Sequence, residues 1–155
     1  MELLEVMDEK GNPTGEILQR EIIHDRNLLH NEIAVYIINE KKQVLLQKRS
    51  ASKRFDPNKW GSCAGHVPAN ETLIDSALRE LKEEVGMDIT KAEIHCLIEK
   101  EILKKETNSH IIYSYYIKSN IKEEDFTIQK EELSEVKWFD IDKLIKMIKA
   151  QAMRL

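Results

Sequence analysis

Residues 65–87 read GHVPANETLIDSALRELKEEVGM, and this stretch decides how the chain folds. Between Glu71 and Val85 there is no Gly or Pro, and most of the residues are good helix formers. Asn70 can cap the start of a helix, and Gly86 can adopt the left-handed conformation that ends one. The pattern therefore predicts a helix over residues 71–85.

Three glutamates of this helix share one face, because Glu80, Glu83 and Glu84 stand at i, i+3 and i+4. Glu80 and Glu83 lie beside the edge of the apolar stripe, and Glu84 falls within its arc. Neighbouring carboxylates repel, and one that points toward a core is costly to desolvate. A divalent cation removes both penalties, and all-oxygen ligands suit Mg²⁺ or Mn²⁺. The alternative is a solvated acidic face.

The same stretch resembles the Nudix box. That pattern is Gly, five residues, Glu, seven residues, Arg-Glu-aliphatic, one residue, Glu-Glu, one residue, Gly-aliphatic. Every specified position is filled between Gly65 and Met87, and Asn70 stands where many members have Gly. The resemblance implies an α/β/α sandwich and a hydrolase. Such an enzyme cleaves a diphosphate linked to another group, usually in a nucleotide derivative, with Mg²⁺.

The resemblance also implies a role for each residue of the box. The implied metal ligands are Glu80, Glu83, Glu84 and the main-chain carbonyl of Ala64. Glu80 is favoured as the base that takes a proton from the attacking water, and Glu80 and Glu83 are the candidate catalytic residues. Arg79 and Glu71 are implied as an ion pair that braces the loop against the helix.

A loop carboxylate is a rival base, since several Nudix enzymes supply one from outside the box. Glu131, Glu132 and Glu135 are the candidates in this sequence. The alternative for all three is a solvated, charged loop.

The region before the box resembles the isopentenyl-diphosphate isomerase branch of the same superfamily. In that branch, the residues matching Arg49 and Lys53 hold the substrate diphosphate. The residues matching His24, His30 and His66 belong to a metal site, and His66 is also a candidate for contact with substrate. The alternatives are a solvated basic loop and structural histidines.

The isomerase chemistry needs groups that this sequence lacks. It requires a Cys immediately before the Gly-His pair, where this chain has Ala64. Cys63 is one residue away, and in a strand that shift points a side chain to the opposite face. The required Glu-x-Glu pair matches His110 and Ile112. A hydrolase is therefore favoured over the isomerase or a catalytically silent binding module.

Composition and charge set the broad class. The chain has 155 residues, 41% of them apolar and 34% charged, with a net charge of −4. These values predict a single domain over residues 1–155 and do not favour nucleic-acid binding. No apolar run approaches the length of a membrane span, and the N-terminus lacks a signal peptide. We expect a cytoplasmic protein that binds a small-molecule diphosphate, as a monomer or a homodimer.

The remaining pattern predicts strands and one further helix. The predicted strands cover residues 3–7, 32–39, 44–48, 61–67, 93–103, 110–118 and 135–139. Residues 8–15 are predicted as a turn, 16–29 as weakly helical or irregular, and 119–134 as a loop that could hold a short strand near Phe126. Asp140 can cap a last helix over residues 141–153, with Leu144, Ile145, Ile148 and Ala152 facing inward. The order predicts an α+β protein with a mixed sheet between helices.

Overall fold

The computed structural model describes residues 1–153. The strands are β1 (Leu3–Met7), β2 (Pro13–Gln19), β3 (Asn31–Ile38), β4 (Gln43–Arg49), β5 (Trp60–Gly61), β6 (Cys63–His66), β7 (His95–Leu103), β8 (His110–Lys118) and β9 (Leu133–Asp140). The helices are α1 (Arg20–Asp25), α2 (Leu73–Val85) and α3 (Ile141–Met153). Short 3₁₀ turns lie at Lys91–Glu93 and Glu123–Asp125.

The main sheet is built around β3. On one side β3 pairs in parallel with β8, which pairs in turn with β7. On the other side β3 pairs antiparallel with β6 near its start and with β4 near its end, and β4 also pairs with β5 and β9. The sheet is therefore mixed, and with the three helices it confirms the predicted α/β/α sandwich.

The helix α2 begins at Leu73, two residues later than predicted. The hydroxyl of Thr72 accepts a hydrogen bond from the Asp75 N–H at 3.1 Å, so Thr72 and not Asn70 is the N-cap. The reason is a preceding turn, in which the Glu71 N–H donates to the Pro68 carbonyl at 3.0 Å. Gly86 ends the helix as predicted, with a φ of 74° in the left-handed region.

The main core lies between α2 and the sheet. Ala77, Leu81 and Val85 of α2 are almost fully buried there. They belong to one hydrophobic cluster with Ile33, Val35, Ile37, Leu45, Cys63, Val67, Met87, Ile117 and Leu133. This packing fixes the acidic face of α2 at the edge of the core.

The prediction for residues 8–29 was wrong in part. β2 already begins at Pro13 and pairs antiparallel with β1, and α1 follows directly. Most β2 side chains are exposed, so the strand lacks the apolar alternation that predicts one. A small core of Leu4, Val6 and Ile23 ties this β-ribbon to α1.

Two predictions near the C-terminus also need correction. Residues around Phe126 form a 3₁₀ turn and loop where a short strand was considered. Asp140 caps α3 as predicted, since its carboxylate accepts from the Lys143 N–H at 3.0 Å. However, Ile145 and Ile148 do not face inward but are 44% and 58% exposed, because α3 packs mainly against the end of β9. The side chain of Ala152 lies outside the described residues.

None of the helices within residues 1–153 is both long enough and apolar enough to cross a membrane.

Candidate active site

An open cavity of about 620 Å³ lies between α2, β6 and the loop of residues 50–59. It is lined by the residues predicted to bind Mg²⁺ or substrate, namely Arg49, Lys53, Ala64, His66, Glu80, Glu83 and Glu84, whereas His30 lies outside the lining. The fold therefore brings together residues that stand up to 35 positions apart in the chain.

The three glutamates of α2 differ in burial. Glu84 is 6% exposed, and the side chain of Glu80 is 12% exposed. Glu83 lies nearer the cavity mouth with its side chain 49% exposed. This difference in exposure follows from the helical periodicity, since α2 turns Glu84 toward the core and Glu83 toward solvent.

Arg79 holds the loop before α2 against the helix. Its Nε donates to both carboxylate oxygens of Glu71 at 3.1 Å, so the implied ion pair is present. Its other nitrogens donate to Glu80 at 2.8 Å, Glu83 at 3.2 Å and the His66 carbonyl at 3.3 Å. One guanidinium thus links the brace to two of the candidate metal ligands.

Gly65 allows β6 to pass close beside α2. A Cβ atom on Gly65 would lie only 2.3 Å from the carboxylate of Glu80. Because no side chain fits there, the main chain of Ala64 and Gly65 runs along the floor of the cavity next to the glutamates. Ala64 is itself fixed in the sheet, opposite Ala34 of β3.

The electrostatics of the glutamates fit a bound cation. Burial, together with the nearby charge of Glu84, raises the pKa of Glu80 to about 8 despite the opposing Arg79. Burial also raises the pKa of Glu84, although a hydrogen bond from Gln47 opposes it. In both cases burial is the largest cause of the raised pKa, so the charged form of each carboxylate is disfavoured without a further cation. A divalent ion with oxygen ligands would supply the missing positive charge.

The basic residues of the chain segment 49–54 also line the cavity. The Nε of Arg49 donates to the Phe55 carbonyl at 2.9 Å, which shapes the loop. Lys53 forms an ion pair with Glu132. Of the three loop carboxylates considered as rival bases, Glu132 lines the cavity, whereas Glu131 and Glu135 are exposed residues outside its lining.

The three histidines named by the isomerase resemblance converge. One ring nitrogen of each of His24, His30 and His66 lies within 4.8 Å of the others, and the Nε2 atoms of His24 and His66 are 3.2 Å apart. The Nδ1 atoms of His30 and His66 bind the Leu28 carbonyl and Glu2. Carbonyl or carboxylate partners on the far nitrogen are typical of metal-ligating histidines. The cluster can therefore hold a cation that accepts nitrogen ligands, provided that the Nε2 of His30 exchanges its bond to Glu32 for the ion.

Glu32 belongs to this cluster but was missed from the sequence. Its carboxylate accepts from His30 at 3.0 Å and lies 3.9 Å from the ring of His110. Although burial opposes ionisation, the hydrogen bond from His30 holds the pKa of Glu32 at about 2. The available signal was a charged residue at the start of a strand with two apolar faces, two positions after a histidine.

Trp60 and the two cysteines do not line the cavity. The ring of Trp60 packs 5.1 Å from that of Phe139, so the structure gives it an anchoring role on β5. Cys63 is buried, whereas Cys96 is exposed on β7, an edge strand of the sheet. Phe55 and Ala64 supply the apolar side chains of the cavity lining, and nearly all the others are charged or histidine.

The protein is an α/β/α sandwich with an acidic helix at its cavity. Comparison with known proteins identifies the family. Residues 28–154 match the NUDIX domain family, so the chain belongs to the Nudix superfamily. It lies in the branch that resembles isopentenyl-diphosphate isomerase.

Two relatives and one solved structure illustrate this placement. The chain is 32% identical to isopentenyl-diphosphate Delta-isomerase 2 of Photorhabdus laumondii, over 95% of this chain and 82% of that protein. It is 34% identical to Nudix hydrolase 3 of Arabidopsis thaliana, over 88% of this chain but only 19% of that protein. The structure of DR0079 from Deinococcus radiodurans superposes with a TM-score of 0.77 at 21% identity, covering 96% of this chain and 90% of that one. That last likeness shows the fold.

Proposed function

We propose that this protein is a Mg²⁺-dependent hydrolase that cleaves the diphosphate linkage of a nucleoside diphosphate derivative or a related organic diphosphate. The observation that carries the proposal is the convergence of Glu80, Glu83 and Glu84 with the Ala64 main chain at one cavity. Two of these carboxylates are largely buried, and Arg79 is the only cation within salt-bridge distance of the three glutamates among the described residues.

The chain's own residues take distinct parts in this proposal. Glu80, Glu83, Glu84 and the Ala64 carbonyl would hold the ion. When bound, Mg²⁺ lowers the pKa of a water ligand and neutralises charge on the phosphate oxygens. Glu80 would take the water's proton, with Glu132 as the rival base.

The basic residues that line the cavity would hold the substrate. Arg49 and Lys53 would bind the phosphates, since both line the same cavity as the glutamates. Lys53 would first have to exchange its partner Glu132 for a phosphate oxygen. His66 also lines the cavity and would contact substrate from β6.

Two observations favour hydrolysis over the isomerase alternative. The Cys63 thiol is 2% exposed and donates to Glu84 at 3.3 Å, outside the cavity lining, so no thiol faces a substrate from β6. The cavity lining is almost entirely polar, whereas an isoprenoid chain needs apolar walls. A polar organic diphosphate matches this lining better.

The experiment is a phosphate-release screen with Mg²⁺ over nucleotide sugars, dinucleotides, oxidised nucleotides and isoprenoid diphosphates. We expect turnover of at least one polar substrate and a loss of several orders of magnitude in Glu83→Gln and Glu84→Gln. Glu99→Gln is the matched control, because Glu99 lies exposed on β7, outside the cavity lining.

Three outcomes would contradict the proposal. Full Mg²⁺-dependent turnover by Glu84→Gln would show that this carboxylate is not a metal ligand. Conversion of isopentenyl diphosphate to its dimethylallyl isomer, without phosphate release from any compound, would establish the isomerase. Neither activity, with no metal bound by the glutamates, would favour a binding module.

A further inference from the structure

The carboxylate of Glu84 is held by the protein through one of its two oxygens. Its Oε1 accepts hydrogen bonds from the Gln47 side-chain amide at 3.0 Å, the Cys63 thiol at 3.3 Å and the Ala64 N–H at 3.4 Å. Among residues 1–153, no group donates to Oε2. The side chain of Glu84 is therefore fixed in one orientation by three donors on the same oxygen.

These donors are themselves fixed and shielded from water. Gln47 is 5% exposed and lies within β4, paired with Gly61 of β5 and Val136 of β9. Cys63 is 2% exposed and lies on β6 opposite Val35. Both side chains belong to strands and cannot easily turn away from Glu84.

A buried carboxylate needs such partners in order to keep one geometry. Three donors on Oε1 occupy the lone pairs of that oxygen, whereas Oε2 is left without a donor on a residue that lines the cavity. A cation that meets only Oε2 is bound through a single oxygen, which leaves one more coordination position for a phosphate or water oxygen. The donors therefore act on how Glu84 binds an ion and not only on whether the fold is stable.

We propose that Gln47 and Cys63 are positioning residues that present Glu84 to a divalent cation through Oε2 alone. This inference rests on the proposed function, since it takes Glu84 as a metal ligand. Neither residue lines the cavity, and neither belongs to the sequence pattern by which the site was predicted.

The test measures Mn²⁺ affinity without substrate, by electron paramagnetic resonance or calorimetry. In Gln47→Leu, the shape of the side chain is roughly kept but the donor is lost. We expect Mn²⁺ to bind about 10- to 100-fold more weakly, as for other residues that orient metal ligands. Gln43→Leu is the matched control, because Gln43 lies on the same strand but bonds Asn39. Its Mn²⁺ affinity should equal that of the wild type.

Cys63 provides an independent variant. Cys63→Ala removes the donor and should weaken Mn²⁺ binding by a smaller factor, since a thiol is a weak donor. Cys63→Ser keeps a donor and should restore most of the affinity. A merely structural role would lower the melting temperature in both Cys63 variants without separating their affinities. If Gln47→Leu fails to fold by circular dichroism, the comparison of Ala with Ser decides.

The outcomes separate this inference from the proposed function. Wild-type Mn²⁺ affinity in folded Gln47→Leu, or equal affinities in Cys63→Ala and Cys63→Ser, would overturn the positioning roles. If the wild type binds Mn²⁺ through Glu84 and the variants weaken it, but no compound releases phosphate, the hydrolase proposal fails and the positioning roles stand. A wild type that binds no Mn²⁺ overturns both.

Discussion

Gly65 is the position where one added methyl group should disable the site while leaving the fold almost intact. In Gly65→Ala, the new Cβ would lie 2.3 Å from Cδ and Oε1 of Glu80. Ordinary van der Waals contact begins near 3.4 Å. The Glu80 carboxylate must therefore move away by about 1 Å. It moves and strand β6 stays in place, because the carboxylate is the end of a flexible side chain.

The displacement sets the expected magnitudes. An error of about 1 Å in a group that positions reactants can lower the rate about 100-fold. The cost in stability should stay within about 0.5–1.5 kcal/mol, the strain of one side chain forced off its rotamer. We therefore expect kcat on the best substrate of the phosphate-release screen to fall about 100-fold, with only a small change in Tm.

Gly61→Ala is the matched control, since a Cβ at Gly61 meets no atom within 4 Å. It should keep wild-type kcat and Tm. Wild-type turnover by Gly65→Ala would refute the reasoning, because Glu80 would then work from a different position. A large loss of stability in Gly65→Ala would also refute the reasoning, because it would show that strand β6 had moved and the Glu80 carboxylate had not.

Three further predictions concern the helix and the histidines. Thr72→Ala should lower the free energy of unfolding by about 1 kcal/mol in urea titrations, while Asn70→Ala should have almost no effect, because only Thr72 caps α2. An equal loss in both would contradict the observed cap. Leu81→Ala should cost about 2–5 kcal/mol in the same assay, since Leu81 is fully buried. Zn²⁺ or Co²⁺ at about 100 times its Kd should stabilise the wild type by about 2.7 kcal/mol but not His30→Ala. A thermal shift that survives in His30→Ala would place that ion elsewhere.

The sequence predicted the acidic helix well because all of its signals are local. Glu80, Glu83 and Glu84 are close in sequence, so helical spacing alone puts them on one face. The position of Arg49 and Lys53 at the same cavity depends on sheet register, and only the family resemblance indicated it. Their location in the cavity lining is therefore a result of the structure.

The wrong predictions concern segments whose structure depends on tertiary contacts. β2 forms because it pairs with β1, not because its own side chains alternate. The amphipathic pattern of α3 correctly predicted a helix, but periodicity does not say whether another layer covers the stripe, and Ile148 is exposed. The role of Glu32 could not be predicted from its apolar strand, because its contacts with His30 and His110 form only in the folded protein.

Strand register also gives a physical reason why this chain does not carry the isomerase's carboxylate pair. Glu32 of β3 pairs in register with Ile112 of β8, the position of the second missing carboxylate. Neighbours in register on adjacent strands have Cβ atoms about 5 Å apart and point to the same face. A glutamate at position 112 would therefore face Glu32, whose side chain is only 13% exposed.

This conflict can be measured by a double-mutant cycle. Ile112→Glu should cost about 3 kcal/mol or more in urea titrations, because it buries a second negative charge beside the first. In the Glu32→Gln background the same substitution should cost less, with a coupling of about 0.5–3 kcal/mol. Ser114→Glu gives the comparison one step along the same strand face, opposite Ala34, where the coupling to Glu32 should be smaller because diagonal neighbours are about 7–8 Å apart. Equal costs of Ile112→Glu in both backgrounds would show that Glu32 does not exclude the pair. The absence of those carboxylates would then need another cause than the charge already present on β3.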